Sequence, residues 1–227
     1  MPQCQQQKLS PPPRRQKPTQ KPWPLPRKKK PLRSGPGSEP GCKKAVVFLD
    51  SLQDCLNHFR VTRPLRLLDC ACGDMAWSWQ WVVQETKLAR LEYTGIDIAP
   101  GPVAAARRRI GTFGRVLMLD IAEHNLETAV GPMDLVLSKD TLNHMSPDLA
   151  VQALRAFSKV SSWLLINNHP GTYAAQELAS WGQNWRPYDY GLPPFNLQLA
   201  RVVQEGAACG KTNKQMKENV SLFRLLV

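Results

Sequence analysis

The sequence predicts an α/β domain: a doubly wound, mostly parallel sheet with helices on both faces, preceded by a disordered basic tail. Three observations predict it. Short apolar runs alternate with longer amphipathic stretches over about a hundred residues after Pro64. Three consecutive runs finish on or beside an aspartate, and basic charge and proline crowd into the first 44 residues.

The chain has 227 residues, enough for one sizeable core and an appendage but not for two full domains. Lys and Arg number 30 against 18 Asp and Glu, a net charge of +12. Residues 1–44 hold twelve of those basic side chains and a single acid, Glu39, so the remainder of the chain is nearly neutral. The basic character describes the tail and does not make the body a nucleic-acid binder. Eleven of the 20 prolines also precede residue 45, among Gln, Lys and Arg with few aliphatic side chains to bury. Such a stretch cannot offset the entropy lost on ordering, so residues 1–44 are expected to be disordered and 45–227 to form the α/β domain.

No run of about 18 apolar residues is present, and the N-terminus lacks a secretory apolar segment. The expectation is therefore no membrane span and an intracellular protein, cytoplasmic or nuclear. An organellar leader is an alternative for an N-terminus without acids before Glu39, although Gln, Pro and Lys are not its usual composition. Arg27-Lys28-Lys29-Lys30 with Pro31-Leu32-Arg33 reads as a nuclear signal, a contact to RNA or an anionic surface, or simply a solvated tail. The six cysteines, at positions 4, 42, 55, 70, 72 and 209, fit neither a disulfide framework nor paired zinc knuckles, so no metal is expected.

In chain order, Ala45, Phe48, Leu49, Leu52, Leu56 and Phe59 recur at steps of three and four, an amphipathic helix that would flank or cover the domain. Strands are expected at 65–70, 93–98, 116–120, 133–138 and 162–167, with helices over 75–91, 103–110 and 147–160 between them. Right-handed crossovers would assemble these into a Rossmann-like sheet. The apolar run 220–227 adds an edge strand, and no repeat suggests a solenoid.

In such a sheet the ligand crevice lies beyond the carboxyl ends of the strands. The first strand runs into Asp69-Cys70-Ala71-Cys72-Gly73-Asp74-Met75, a small-residue turn that lets a ligand approach the backbone and leaves helix-start amides as donors. Asp97 ends the second strand in Tyr93-Thr94-Gly95-Ile96-Asp97-Ile98, where two carboxylate oxygens can accept from a ribose diol. Asp120, followed by Ile121, ends the third, where a side chain can meet an exocyclic amine. Each aspartate alone also reads as a turn former or helix cap. Three in register, after a small-residue turn, point to an adenine nucleoside.

The turn lacks the three glycines of a dinucleotide fingerprint, which makes NAD a second choice. Gly206-Ala207-Ala208-Cys209-Gly210-Lys211-Thr212 imitates a phosphate loop but has three residues between its glycines instead of four, with Glu205 where the first glycine belongs.

Taken together, Asp69 to Met75, Gly95-Ile96-Asp97, Leu119-Asp120-Ile121 and Asp134 to Asp140 resemble a class I S-adenosylmethionine-dependent methyltransferase over about residues 65–227. More narrowly the chain resembles small, poorly characterised members with a Cys-Gly-Asp-Met-x-Trp turn, here Cys72 to Trp77. These also carry a late Trp-Arg-Pro and Pro-Phe-Asn, here Trp185-Arg186-Pro187 and Pro194-Phe195-Asn196. Ala71 and Met75 replace two of the general family's glycines, narrowing the space beside the methionine moiety.

The resemblance implies S-adenosyl-L-methionine as cofactor. Asp69, Cys70, Ala71, Cys72, Gly73, Asp74 and Trp77 would surround its methionine part, Asp97 and Ile98 its ribose side, Asp120 and Ile121 its adenine, while Ser138 and Lys139 close the pocket beneath the sulfonium. Asp140 and His144 are the expected proton acceptors after the fourth strand, with His169 after the fifth as a further candidate and a capping role as the alternative for His144. Trp181, Trp185, Tyr188 and Tyr190 form either an aromatic wall for substrate or a roof on the sheet. Ser138-Lys139-Asp140-Thr141 stands where an Asn/Asp-Pro-Pro-Tyr/Phe box would mark a base-amino methyltransferase, so a small-molecule or glycan-like acceptor is preferred. The alternatives are a non-catalytic nucleoside-binding scaffold and an RNA-associated methyltransferase recruited by the basic tail; oligomeric state is left open.

Overall fold

Strand β1 (Leu65–Cys70) runs through the middle of a seven-stranded sheet in the computed structural model, which describes residues 39–59, 62–122, 125–172, 185–205 and 217–225. Tail residues 1–38, Trp181 and the loop-like 206–212 lie outside the described residues. The other strands are β2 (Leu91–Asp97), β3 (Arg115–Met118), β4 (Leu135–Ser138), β5 (Trp163–Asn168), β6 (Gln198–Gln204) and β7 (Asn219–Arg224). Their order is β3-β2-β1-β4-β5-β7-β6, with β1 to β5 parallel and β7 antiparallel to both of its neighbours. The order reverses between β1 and β4, which places the crevice beyond the ends of those two strands.

Helices α1 (Lys43–Phe59), α2 (Trp79–Lys87) and α3 (Pro100–Ile110) cover one face; α4 (Leu126–Val130) and α5 (Pro147–Ser158) cover the other. On the first face Phe48, Leu52 and Leu56 of α1 pack with Leu67, Trp81, Val103 and Leu165. Fully burying a Leu or Phe side chain contributes about 1.5–3 kcal/mol, so α1 is an integral layer of the domain. On the second face Leu68, Ile96 and Ile166 meet Ala153, Leu154 and Phe157 of α5. Ser146 caps α5, accepting from Leu149 N–H, and Pro147 occupies its first turn.

Three boundaries differ from the sequence expectation. Helix α1 begins at Lys43, so Lys43 and Lys44 belong to the folded domain and not to the tail; Lys44 is buried by ionic partners that hydropathy does not see. Helix α2 begins at Trp79 rather than Met75, because Met75 takes a positive φ of 57° that an α-helix cannot include. The last apolar run forms β7 inside the sheet, its Val220 to Phe223 buried; the edge is the largely exposed β6, which sequence reading did not predict. Burial on both faces through Val220–Phe223, with Ser221 the one polar residue among them, is the mark of an interior strand.

Candidate active site

The turn after β1 is held from three sides. The Asp97 carboxylate accepts from the Gly73 amide at 2.9 Å through one oxygen and from the Ala99 amide at 2.9 Å through the other. Thr141, beyond β4, accepts from the Ala71 amide at 3.0 Å. Arg109, at the end of α3, pairs with Asp74 at 3.0 Å. Gly73 has φ 57°, in the left-handed region where glycine is unstrained, and a Cβ on it would meet nothing within 4 Å. Its side-chain position therefore opens onto free space.

Beneath the turn, Asp69 is buried and accepts from the Tyr93 hydroxyl at 2.7 Å. Burial pushes its carboxyl up to about 7, against the pull of that hydroxyl and of Lys139. Burial likewise pushes up the Cys70 and Cys72 thiols, so both are protonated packing groups near neutrality. Gly95 stands opposite Asp69 in the β1–β2 register. A Cβ there would lie 2.9 Å from both the Cys72 sulfur and the Tyr93 hydroxyl, which is why this strand position is glycine.

Beyond β2 and β3 the surface is apolar. Ile98 and Met118 are 62% and 60% exposed, and Met118 is registered against Asp97. Ile121 is buried behind them, and Asp120, half-buried, accepts from the Ala122 amide at 2.8 Å.

The end of β4 carries a dense polar cluster. Ser138 is fully buried and its hydroxyl has no hydrogen-bond partner among the described residues. Lys139, also buried, sets its ammonium 5.4 Å from the Trp77 ring centre, 5.7 Å from that of Phe48 and 3.1 Å from the Asp140 carboxylate. Asp140 has φ 55° and is clamped by Asn167, whose side chain accepts from its amide at 2.9 Å and donates to its carboxylate at 3.2 Å. Lys44 of α1 donates to Asp140 and pairs with Glu218. Burial would raise the Asp140 carboxyl, but Lys44 and Lys139 outweigh it and hold it below the usual carboxylate range. For Lys44, burial lowers and the two carboxylates raise, and the carboxylates win.

The two expected proton acceptors part company. Asp140 sits inside this cluster, whereas His144 lies exposed in the 3₁₀ turn Leu142–His144. His169 is 2% exposed, and its Nδ1 has no partner among the described residues. Tyr188 and Tyr190 are buried with Phe195 and Phe223 as a roof on the α5 face; only Trp185, edge-on to His169 at 5.2 Å, remains for the aromatic wall. Sequence reading missed Lys44, Tyr93, Asn167 and Glu218; the paired Asn167-Asn168 ending an apolar strand was the visible signal. A cleft of about 430 Å³ opens at the opposite end of the sheet, lined by Phe59, Pro64, Met133 and Trp163, and contains none of the expected cofactor residues. Among the described residues no group of three or more His, Cys, Asp or Glu side chains is placed to hold a metal ion, and no helix is long and apolar enough to cross a membrane.

Residues 67–162, from within β1 to the residue before β5, match the family model described as a methyltransferase domain. Over this stretch the chain is similar to a methyltransferase domain, and its fold is that of solved S-adenosylmethionine-dependent methyltransferases. Among solved structures this domain is similar to the magnesium protoporphyrin IX methyltransferase of Synechocystis with bound SAM, at TM-score 0.53 and 17% identity over 78% of each chain. A TehB-like SAM-dependent methyltransferase from Corynebacterium glutamicum has TM-score 0.50 and 14% identity over 81% of this chain and 87% of its own. The small RNA methyltransferase HEN1 has TM-score 0.54 and 12% identity over 78% of this chain and 26% of its own. No curated protein matches the sequence. At these identities the likeness to solved structures is one of fold, and the roles of individual residues rest on this chain's own geometry.

Proposed function

We propose that the methyltransferase domain binds S-adenosylmethionine across the ends of β1, β2 and β3 and transfers its methyl group to a small-molecule acceptor. One observation carries this reading: the Asp97 carboxylate holds the Gly73 turn above the buried Asp69–Tyr93 bond, at the end of the sheet where the strand order switches, with open space at the Gly73 side-chain position. The residues present fit the cofactor. Ile98 and Met118 supply exposed apolar surface for a purine, and the buried, unpartnered Ser138 hydroxyl supplies a polar group awaiting a ligand.

In this reading Asp69 holds the amino group of the methionine part, with Cys70, Ala71, Cys72, Gly73, Asp74 and Trp77 lining it. Asp97, with Ile98 beside it, holds the ribose diol. Asp120 and Ile121 face the adenine, and Ser138 and Lys139 close the pocket beneath the sulfur. When bound, the sulfonium supplies an already activated methyl group. The chain's own task is to align the acceptor and exclude water. Asp140, kept ionised by two lysines, serves that task as a fixed charge at the acceptor side; His144 is placed to meet an acceptor only at the rim.

Calorimetric titration tests the reading. S-adenosylhomocysteine should bind the full chain, and Asp97→Ala should weaken it roughly ten- to a hundredfold, the loss of charge-assisted hydrogen bonds worth about 1.5–3 kcal/mol. Unchanged affinity in a folded variant overturns the pocket.

An RNA acceptor is the second reading, supported by where the basic residues join the fold. They precede α1, whose Lys44 stands on Asp140 beside the proposed pocket. Salt-sensitive binding of an RNA oligonucleotide by the full chain, lost on deleting residues 1–38, would favour it.

A further inference from the structure

Among the described residues, His169 at the end of β5 has a buried ring nitrogen, Nδ1, with no hydrogen-bond partner. It follows β5 directly, its amide donates to the Tyr188 carbonyl at 2.9 Å, and its carbonyl accepts from Thr172. These bonds fix the residue through its backbone, and Nδ1 has no hydrogen-bond partner among the described residues. A buried nitrogen with no partner is unfavourable, so the fold holds Nδ1 in a state that a ligand donor would relieve. Burial, with Lys44 adding to it, pushes the imidazole down to about 4, while Asp140 and Asp189 pull the other way. At neutral pH the imidazole is therefore uncharged, and in the tautomer protonated at Nε2 its Nδ1 offers a lone pair.

The charges around it say what kind of acceptor fits. Lys44 and Lys139 are matched by Asp140 and Glu218, so the cluster has no surplus positive charge to draw an anion. A carboxylate would meet an acceptor nitrogen and balanced ion pairs; a neutral O–H or N–H would meet a lone pair. Trp185, its ring edge-on to the imidazole, offers a wall for a planar group.

We propose that Nδ1 of His169 receives the protic hydrogen of the methyl acceptor, and that this acceptor is a neutral hydroxyl or amine on a planar ring. The inference rests on the S-adenosylmethionine reading above. In the transfer, a lone pair of the acceptor oxygen or nitrogen forms the new bond to carbon. The S–CH3 bond pair stays on sulfur, and the acceptor's proton passes to Nδ1 and from there to solvent.

The experiment uses the full chain labelled with 15N-histidine and saturated with S-adenosylhomocysteine, with phenol, aniline and benzoate as probes. The four histidines are resolved by NMR, and His169 is assigned by the signal lost in His169→Asn. Phenol or aniline should move the His169 Nδ1 resonance, and benzoate should not. Methyl transfer from labelled S-adenosylmethionine to the same phenol or aniline should fall on the order of a hundredfold in His169→Asn, with affinity for S-adenosylhomocysteine unchanged. A resonance that ignores both protic probes, or moves equally with benzoate, overturns the proposal, as does undiminished transfer by His169→Asn. Failure of S-adenosylhomocysteine to bind would instead overturn the cofactor reading, and the phenol titration without it still reads the imidazole.

Discussion

The Lys44 ammonium on α1 donates to the Asp140 carboxylate across 96 positions of sequence, and the same ammonium pairs with Glu218 at the approach to β7. One buried cation thus ties the first helix, the β4 loop and the penultimate strand of the sheet order to each other at the carboxyl ends of the parallel strands.

Removing that cation leaves two carboxylates facing Lys139 alone. Breaking a buried pair by deleting one partner costs about 3–5 kcal/mol because an uncompensated charge stays behind. Lys44→Met should therefore destabilise the domain by about that amount in denaturant unfolding, and adding Glu218→Gln should recover part of the loss. A single variant as stable as the wild type would show that the triad is hydrated and energetically idle.

The same contact divides two truncations. Deleting residues 1–38 retains every described residue and should leave the melting temperature within about a degree or two, because surface changes away from packed features move stability little. Deleting residues 1–44 takes the first two residues of α1, Lys43 and Lys44, with it and should lower the melting temperature by several degrees or more. Equal melting temperatures for the two truncations would contradict the role given to Lys44.

Gly95→Ala tests the packing under the turn. The new methyl would stand 2.9 Å from the Cys72 sulfur and 2.9 Å from the Tyr93 hydroxyl, which itself is fixed on Asp69. Overpacking of this kind costs about 1–3 kcal/mol. The variant should lose that much stability and also bind S-adenosylhomocysteine more weakly, since Cys72 belongs to the turn; Gly95→Ala combined with Cys72→Ala should restore stability in part.

The alternation of apolar runs and amphipathic stretches was enough to place β1 to β5, α3 and α5, because buried parallel strands and one-sided helices write their periods into the chain. The aspartates at the strand ends were legible for the same reason. Lys44, Glu218 and Asn167 were not: each is polar, and its burial depends on partners brought close only by the sheet order. Helix α4, five residues long, and β6, almost wholly exposed, carry too few buried positions to leave a period.

Asp69 and His169 give the domain two opposed pH dependences. The Asp69 carboxyl, pushed up to about 7 by burial, binds a proton in the folded state that the unfolded chain has released above about 4. Its favourable contribution is complete below about 4 and is lost as the pH rises through about 7. His169, held down to about 4 by burial and Lys44, is neutral when folded where the unfolded imidazole protonates near 6.5, so its contribution is present above about 6.5 and is lost as the pH falls towards about 4. In the wild type the two slopes oppose each other. Asp69→Asn should expose the histidine, its stability climbing more steeply than the wild type's between about pH 4 and 6.5, and His169→Asn should expose the aspartate, its stability falling relative to the wild type's over the same interval. Urea unfolding at half-unit pH steps measures both; stability differences from the wild type that stay flat across this range would mean that neither group titrates in the fold as its burial requires.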